Sequence, residues 1–158
     1  MATREIIYFG DPMCSWCWGF SPVIRNISQT YADEAPVSIV LGGLHAFDTE
    51  PMNEGYKATI RHHWEDVGKA TGAVFDYAFF DRKGFVLDTE PACRAAVTVR
   101  EMDQSKLLHF YDSISRSFYS ENKDTTDLGT FKLLATEAGL DADAFQEQFE
   151  SDVIKETT

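Results

Sequence analysis

Basic residues are scarce in this chain. Fourteen Lys and Arg stand against 26 Asp and Glu, a formal charge of −12, so the average surface repels phosphate backbones and anionic headgroups. Nucleic acid is excluded as a natural partner, and the negative charge is read as a solubility feature. Long apolar runs are also missing. The run Ile6 to Phe9 is too short for a signal-peptide core and follows Glu5, and no later stretch approaches a membrane span. The expectation is a cytoplasmic protein with no membrane partner. Cysteine is limited to three residues, too few for a disulfide framework. A zinc site is not expected either. There is no second CxxC and no HxxxH, and Cys93 with His45, His62, His63 or His109 makes a poor ligand set. Five Pro and ten Gly are too few for low complexity.

What the chain has in quantity is large apolar surface. Twelve Phe, six Tyr and three Trp in 158 residues, with 44% of all residues apolar, are enough to close a core in a chain of this length. The order of elements is legible in part. Glu5 to Phe9 is a short apolar run that fits a buried strand ending at Gly10 and Asp11. From Phe20, the positions Phe20, Val23, Ile24, Ile27 and Tyr31 make an amphipathic helical stripe. Val37 to Leu41, after Pro36 and before Gly42-Gly43, reads as a second strand in a parallel β-α-β unit. Four more stripes follow: Tyr56 to Val67, Leu107 to Phe118, Phe131 to Ala138 stopped by Gly139, and Phe145 to Val153 opening near Asp141. Gly72 to Asp88 reads as a loop with weak strand or helix content. The division expected is a β-α-β part over residues 1–50 and a mostly helical part over 51–158.

The chemistry-bearing motif lies between the first strand and the first helix: Asp11-Pro12-Met13-Cys14-Ser15-Trp16-Cys17-Trp18-Gly19. Two residues between cysteines let both thiols sit at the first turn of a helix and close a small disulfide ring. Cys14 faces unpaired backbone N–H groups and the positive end of the helix dipole, so it is the expected nucleophile and Cys17 the resolving thiol. The dipole alone supplies about 0.3–1 kcal/mol, so direct hydrogen bonds to sulfur must add to it. Asp11 would raise the thiol pKa unless it points into solvent. Pro12, Ser15, Trp16 and Trp18 are expected to tune the redox balance or contact substrate, with Trp16 as an apolar platform and Trp18 packed under the helix. Cys93, beside Ala92, Ala95 and Ala96, reads as small buried filler.

The Cys14-Ser15-Trp16-Cys17-Trp18-Gly19 core, with Asp11-Pro12 before it, resembles the DsbA-like thioredoxin-fold proteins of the FrnE-like branch. Looser matches lie at Gly42-Gly43-Leu44, His63-Trp64 and Glu90-Pro91-Ala92-Cys93-Arg94-Ala95. The resemblance implies an α/β fold: a thioredoxin-like β-α-β unit interrupted by a large helical insertion. It also implies exchange of protein or small-molecule disulfides through a Cys14–Cys17 dithiol, with no bound cofactor and with glutathione as a possible thiol. Such proteins return with further strands and a cis-proline loop, whereas here the last proline is Pro91. The sequence therefore reads as a shortened chain lacking those C-terminal strands, with its exposed sheet edge open to homodimerisation. Two alternatives stand beside this one. One is a glutathione-dependent transferase or isomerase of the kappa type, which typically has Ser where Cys14 stands. The other is a non-catalytic binding module.

Overall fold

A computed structural model describes residues 4–158. The β-branched and aromatic run forms strand β1 (Ile6–Gly10), and β2 (Val37–Leu41) lies parallel to it, with Tyr8 opposite Ile39 and Phe9 opposite Val40. Helix α1 (Ser15–Thr30) connects them. It begins five residues before the apolar stripe does, so both cysteines fall in or at its first turn. These two strands form the sheet of the described residues.

The remaining chain is helical. Asn53 caps α2 (Glu54–Thr71) by accepting from the Tyr56 N–H, and Gly72 ends it at φ 76°. Helix α3 (Glu90–Met102) opens with Pro91 in its first turn. Its Ala92, Cys93, Ala95 and Ala96 are buried, and their small size lets α4 (Leu107–Tyr119), α6 (Ala142–Glu150) and α7 (Asp152–Thr157) approach closely. Helix α5 (Leu128–Glu137) packs on α4 and α6. The last stripe, expected to be continuous, breaks at Ser151, which ends α6 in an extended conformation and caps α7.

The segment from Gly72 to Asp88 is more organised than its sequence suggests. A 3-10 turn spans Tyr77–Asp81, and Val86 bridges to Pro51. Its aromatic side chains surround Trp64 of α2. Phe75, Phe79 and Phe80 lie with ring centroids 5.1, 5.1 and 4.7 Å from the indole, and Tyr119 of α4 lies at 5.2 Å. Met13 and Ile39 of the β-α-β part belong to the same buried cluster as Trp64, Phe118 and Phe149.

Candidate active site at the Cys14–Cys17 turn

The site grows from the end of β1. Gly10 stands there because a Cβ would lie 2.6 Å from the Tyr111 hydroxyl and 2.9 Å from the Tyr8 ring. The next residue, Asp11, is buried and binds the turn together. Its Oδ1 accepts from the Met13 N–H at 2.8 Å, and its Oδ2 accepts from the Leu44 N–H at 2.7 Å and the Cys93 thiol at 3.6 Å. The Pro12 carbonyl accepts from the Ser115 hydroxyl of α4 at 2.8 Å. The turn is thus held from β1, the loop after β2, α3 and α4.

Cys14 is the N-cap of α1 in an extended conformation, and its carbonyl accepts from the Trp18 N–H at 3.0 Å. Cys17 sits one turn in. Both are half-buried free thiols. Gly19, after Trp18, lets α1 press on α2: a Cβ there would be 2.7 Å from Val67. Trp18 points away from the sulfurs, and its indole N–H donates to the Val74 carbonyl at 3.1 Å. Trp16 is exposed.

The two thiols are neighbours at the helix start, and each governs the other's ionisation. A thiol beside a thiolate stabilises it by donation, so the pair gives up its first proton well below the ordinary thiol range and holds the second above it. The negative charge is favoured on Cys17, first by the Cys14 thiol and then by the Tyr8 hydroxyl. Tyr111 also favours it. Its hydroxyl is buried and completes no hydrogen bond in the dithiol, so it holds a free donor for a thiolate. The backbone N–H groups of Trp16 and Cys17 favour a Cys14 thiolate, as the helix-start argument expects, but the neighbouring Cys17 thiolate and burial outweigh them. Asp11 does not point into solvent. It turns inward, where burial first and this carboxylate second push the Cys93 thiol up.

Each sulfur opens onto its own hollow, and Trp16 borders both. Cys14 lines a cavity of about 320 Å³ whose floor is Trp64, Phe79, Phe118 and Tyr119 and whose mouth carries Leu44, His45 and His63. Ser15 lines the same cavity and Trp16 borders both hollows, while Pro12 is buried in the turn and Trp18 is tied to Val74 in the segment after α2. Cys17 lines a more open hollow of about 590 Å³ with Tyr8, Phe20 and Val23. Sequence reasoning missed Tyr8, Tyr111, His45 and Tyr56. The one available signal was the strand alternation that puts Tyr8 on the same face as Gly10. His45 accepts from or donates to the Tyr56 hydroxyl at 3.2 Å and lies 3.3 Å from Asp48.

Comparison with known proteins places this geometry. The family model of the DsbA-like thioredoxin domain matches residues 5–158. The chain belongs to the DsbA-like thioredoxin family. A candidate protein disulfide isomerase from Nitrosomonas europaea superposes with a TM-score of 0.91 at 39% identity, over 98% of this chain and 74% of that one. The cytosolic disulfide reductase DsbM from Pseudomonas aeruginosa shares the fold, with a TM-score of 0.78 at 24% identity, over 95% of this chain and 72% of that one. DsbM has also been solved with glutathione. Among curated proteins, the ClpXP adapter protein SpxH of Bacillus subtilis is 23% identical over 148 residues, 93% of this chain and 48% of the relative. The chain spans about half the length of the curated relatives it matches. The fold expected from the sequence, a thioredoxin-like β-α-β unit with a large helical insertion, is the fold observed. Among the described residues, no helix is long and apolar enough to cross a membrane.

Proposed function

We propose that the chain exchanges disulfides through Cys14 and Cys17, as a cytoplasmic oxidoreductase or isomerase of the FrnE-like branch. The observation that carries this reading is a pair of free, half-buried thiols at the first turn of a helix, each open to a hollow. Cys14 is the nucleophile because it faces the more enclosed cavity, and its proton passes to the neighbouring Cys17 thiolate as Cys14 attacks. The Cys14 sulfur bonds to one sulfur of the substrate, the substrate S–S bond breaks, and the departing thiolate takes a proton. Cys17 then attacks the Cys14 sulfur and releases the second substrate thiol. The protein ends as a Cys14–Cys17 disulfide, having given two electrons and two protons. Two small-molecule thiols such as glutathione, becoming one disulfide, return it to the dithiol. The glutathione-bound DsbM structure supports that choice of thiol, and no bound cofactor is needed.

Insulin reduction by dithiothreitol tests the proposal. The wild-type chain is expected to accelerate it, and Cys14→Ser to abolish the acceleration. Equal rates for the two would sink the assignment.

A second reading, a non-catalytic binding module, is favoured by the two curated relatives named as ClpXP adapters. Under it, Cys14 alkylates at the rate of an ordinary free thiol, which a pH-resolved iodoacetamide titration reads directly. We also propose a homodimer through the open face of the sheet, where Ile7, Phe9 and Val40 are exposed. Light scattering on a size-exclusion column decides that point.

A further inference from the structure

The mouth of the Cys14 cavity holds a set of side chains that the exchange described above leaves unused. His45 stands on the loop after β2, and its ring is held at both nitrogens: Nδ1 lies 3.3 Å from the Asp48 carboxylate and Nε2 lies 3.2 Å from the Tyr56 hydroxyl. The loop is built to bring these groups together. The His45 carbonyl accepts from the Asp48 N–H at 3.2 Å, closing a turn that carries the carboxylate back to the imidazole. Phe47 completes that turn at φ 67°, a conformation that bulky residues avoid, and its N–H donates to Asp88 at 2.8 Å. The approach to α3 fixes His45 as well. Its N–H donates to the Thr89 hydroxyl at 3.0 Å, and the Thr89 N–H returns to the His45 carbonyl at 3.3 Å. Tyr56 comes from the first turn of α2, where the Asn53 side chain accepts from its N–H at 2.9 Å.

His45, Tyr56 and Cys14 line the same cavity, and the attack of Cys14 on a disulfide releases a thiolate there. An alkyl thiolate is basic at neutral pH, so a proton donor at that place lowers the barrier to its departure. Among the described residues, no Lys or Arg lines the cavity. The other candidates are poorer. Tyr119 in the floor is held far above the ordinary phenol range, by burial first and then by the charge it would meet at Cys14. His63 is exposed, and no carboxylate or hydroxyl orients it among the described residues. Tyr56 differs in having a proton source behind it. Burial first and Asp48 second make its own proton harder to remove, so the phenol can give it up only if it is resupplied as it donates. A protonated His45 meets that need. Its Nδ1–H is held by Asp48 and its Nε2–H donates to the Tyr56 oxygen, which leaves the phenolic O–H free to turn toward the cavity.

We propose that Tyr56 hands a proton to the thiolate that leaves when Cys14 attacks, and that His45, oriented by Asp48, resupplies Tyr56 from its Nε2–H. That role rests on the oxidoreductase reading above and supplies the acid of the same site. The protons balance with the reduced cysteine pair as a monoanion. The Cys14 sulfur bonds to one substrate sulfur and the substrate S–S bond breaks. The departing sulfur takes the Tyr56 proton, and the phenolic oxygen takes the Nε2 proton, leaving a neutral imidazole. The Cys14 proton meanwhile passes to Cys17. When Cys17 attacks Cys14, the second substrate sulfur leaves and takes that remaining proton. The two electrons come from the cysteine pair, and the two protons from the imidazolium and the Cys14 thiol. Run backwards, the same relay takes the proton from a thiol that attacks the Cys14–Cys17 disulfide.

The test compares two uncharged disulfides: hydroxyethyl disulfide, whose alkyl thiolate needs a proton on leaving, and dithiodipyridine, whose aromatic thiolate leaves readily without one. Oxidation of the reduced chain is followed in a single turnover by the fluorescence of Trp16 and Trp18, beside the cysteines. Tyr56→Phe and, separately, His45→Gln are expected to slow the reaction with hydroxyethyl disulfide about a hundredfold, the low end of what a positioned acid contributes. The reaction with dithiodipyridine is expected to change by less than about twofold in both variants. Asp48→Asn is expected to slow the alkyl disulfide alone, by about threefold, as suits a partly exposed ion pair. Equal slowing of the two disulfides in Tyr56→Phe and His45→Gln would assign these residues to packing and overturn the relay. Rates unchanged in both variants would overturn it too, and in either case the oxidoreductase reading stands. A wild-type chain that forms no Cys14–Cys17 disulfide with either reagent would overturn that reading and the relay with it.

Discussion

The β1–α1–β2 unit has two apolar sides, and among the described residues the rest of the chain covers one of them. On the covered side, Met13 and Ile39 join a buried cluster with Trp64, Phe79 and Phe118. On the open side, Ile7 and Val40 are exposed and Phe9 is 70% exposed. The residue types on the two sides are alike, so composition does not separate them. Partners do. The covered side fixes where Cys14 sits, because the helices that bury Met13 also supply Ser115 to the Pro12 carbonyl and Cys93 to Asp11. Cys17 instead lines the second hollow, bordered by Tyr8, α1 and the end of α2, which is more open.

The sharpest way to test this contrast is to remove the centre of the covered side. Trp64 touches five aromatic rings between 4.7 and 5.9 Å, from two different segments. Trp64→Ala is expected to cost about 3–5 kcal/mol, read as a lower urea midpoint, and to slacken the Cys14 cavity along with it. A loss under about 1 kcal/mol would mean that this cluster does not organise the fold, and the contrast would fail.

A smaller effect is expected where the two sides meet, at Gly10. The methyl of Gly10→Ala would collide with the Tyr111 hydroxyl and the Tyr8 ring at 2.6 and 2.9 Å. Over-packing of this kind costs about 1–3 kcal/mol. It should also displace the two phenols from Cys17, so the reactive thiol's pKa is expected to rise in the same variant. A destabilised variant with an unchanged thiol titration would separate the packing role of Gly10 from any part in setting the site.

These residues also show how far the sequence could be read. The strand alternation and helical stripe were visible because they depend on near neighbours along the chain. The stripe Phe20, Val23, Ile24, Ile27 and Tyr31 marked an apolar face of α1, yet only Ile24 of the five is buried. Periodicity reports which face is apolar; whether another element covers it is a tertiary matter. The helix start is legible from the cysteine spacing rather than from the stripe, which begins only at Phe20. The segment from Gly72 to Asp88 was opaque because its order comes from packing on Trp64, remote in sequence. At the site, the cysteine spacing was legible, but the donors that favour Cys17 were not. Tyr8 and Tyr111 converge only through the packing of α4 on the sheet, and the inward turn of Asp11 depends on Leu44 and Cys93.

Tyr111→Phe isolates the electrostatic part of that convergence. The ring keeps its edge-on packing against Tyr8, with centroids 6.2 Å apart in the wild type, and only a buried hydroxyl without a hydrogen-bond partner is lost. The folded chain should be no less stable, because an unsatisfied buried donor is a cost. The thiolate loses a donor. With the Cys17 pKa lowered in the wild type, removing one cause moves the midpoint upward, by about half a unit to one unit for a donor worth roughly 1 kcal/mol. The measurement is thiolate absorbance against pH. At neutral pH the variant should hold less thiolate and alkylate more slowly, while above the ordinary thiol range the two proteins should converge. A midpoint that does not move would show that Tyr8 and the Cys14 thiol suffice.

The smallest effect is expected on the open side. Phe9→Lys replaces a ring already in solvent with a charge that stays in solvent, and the opposing Val40 on the same sheet face is exposed as well. The folded chain gives up little burial, so its stability should change by no more than about 0.5 kcal/mol. A charge on the open face would, however, oppose a second copy docking there, since a buried unpaired ammonium is costly. Urea unfolding at low and high protein concentration distinguishes the two situations. If the face is free, wild type and variant share a midpoint that does not depend on concentration. If a second copy covers it, the wild-type midpoint rises with concentration and the Phe9→Lys midpoint does not, and the contrast between a covered and an open side then belongs to the monomer alone.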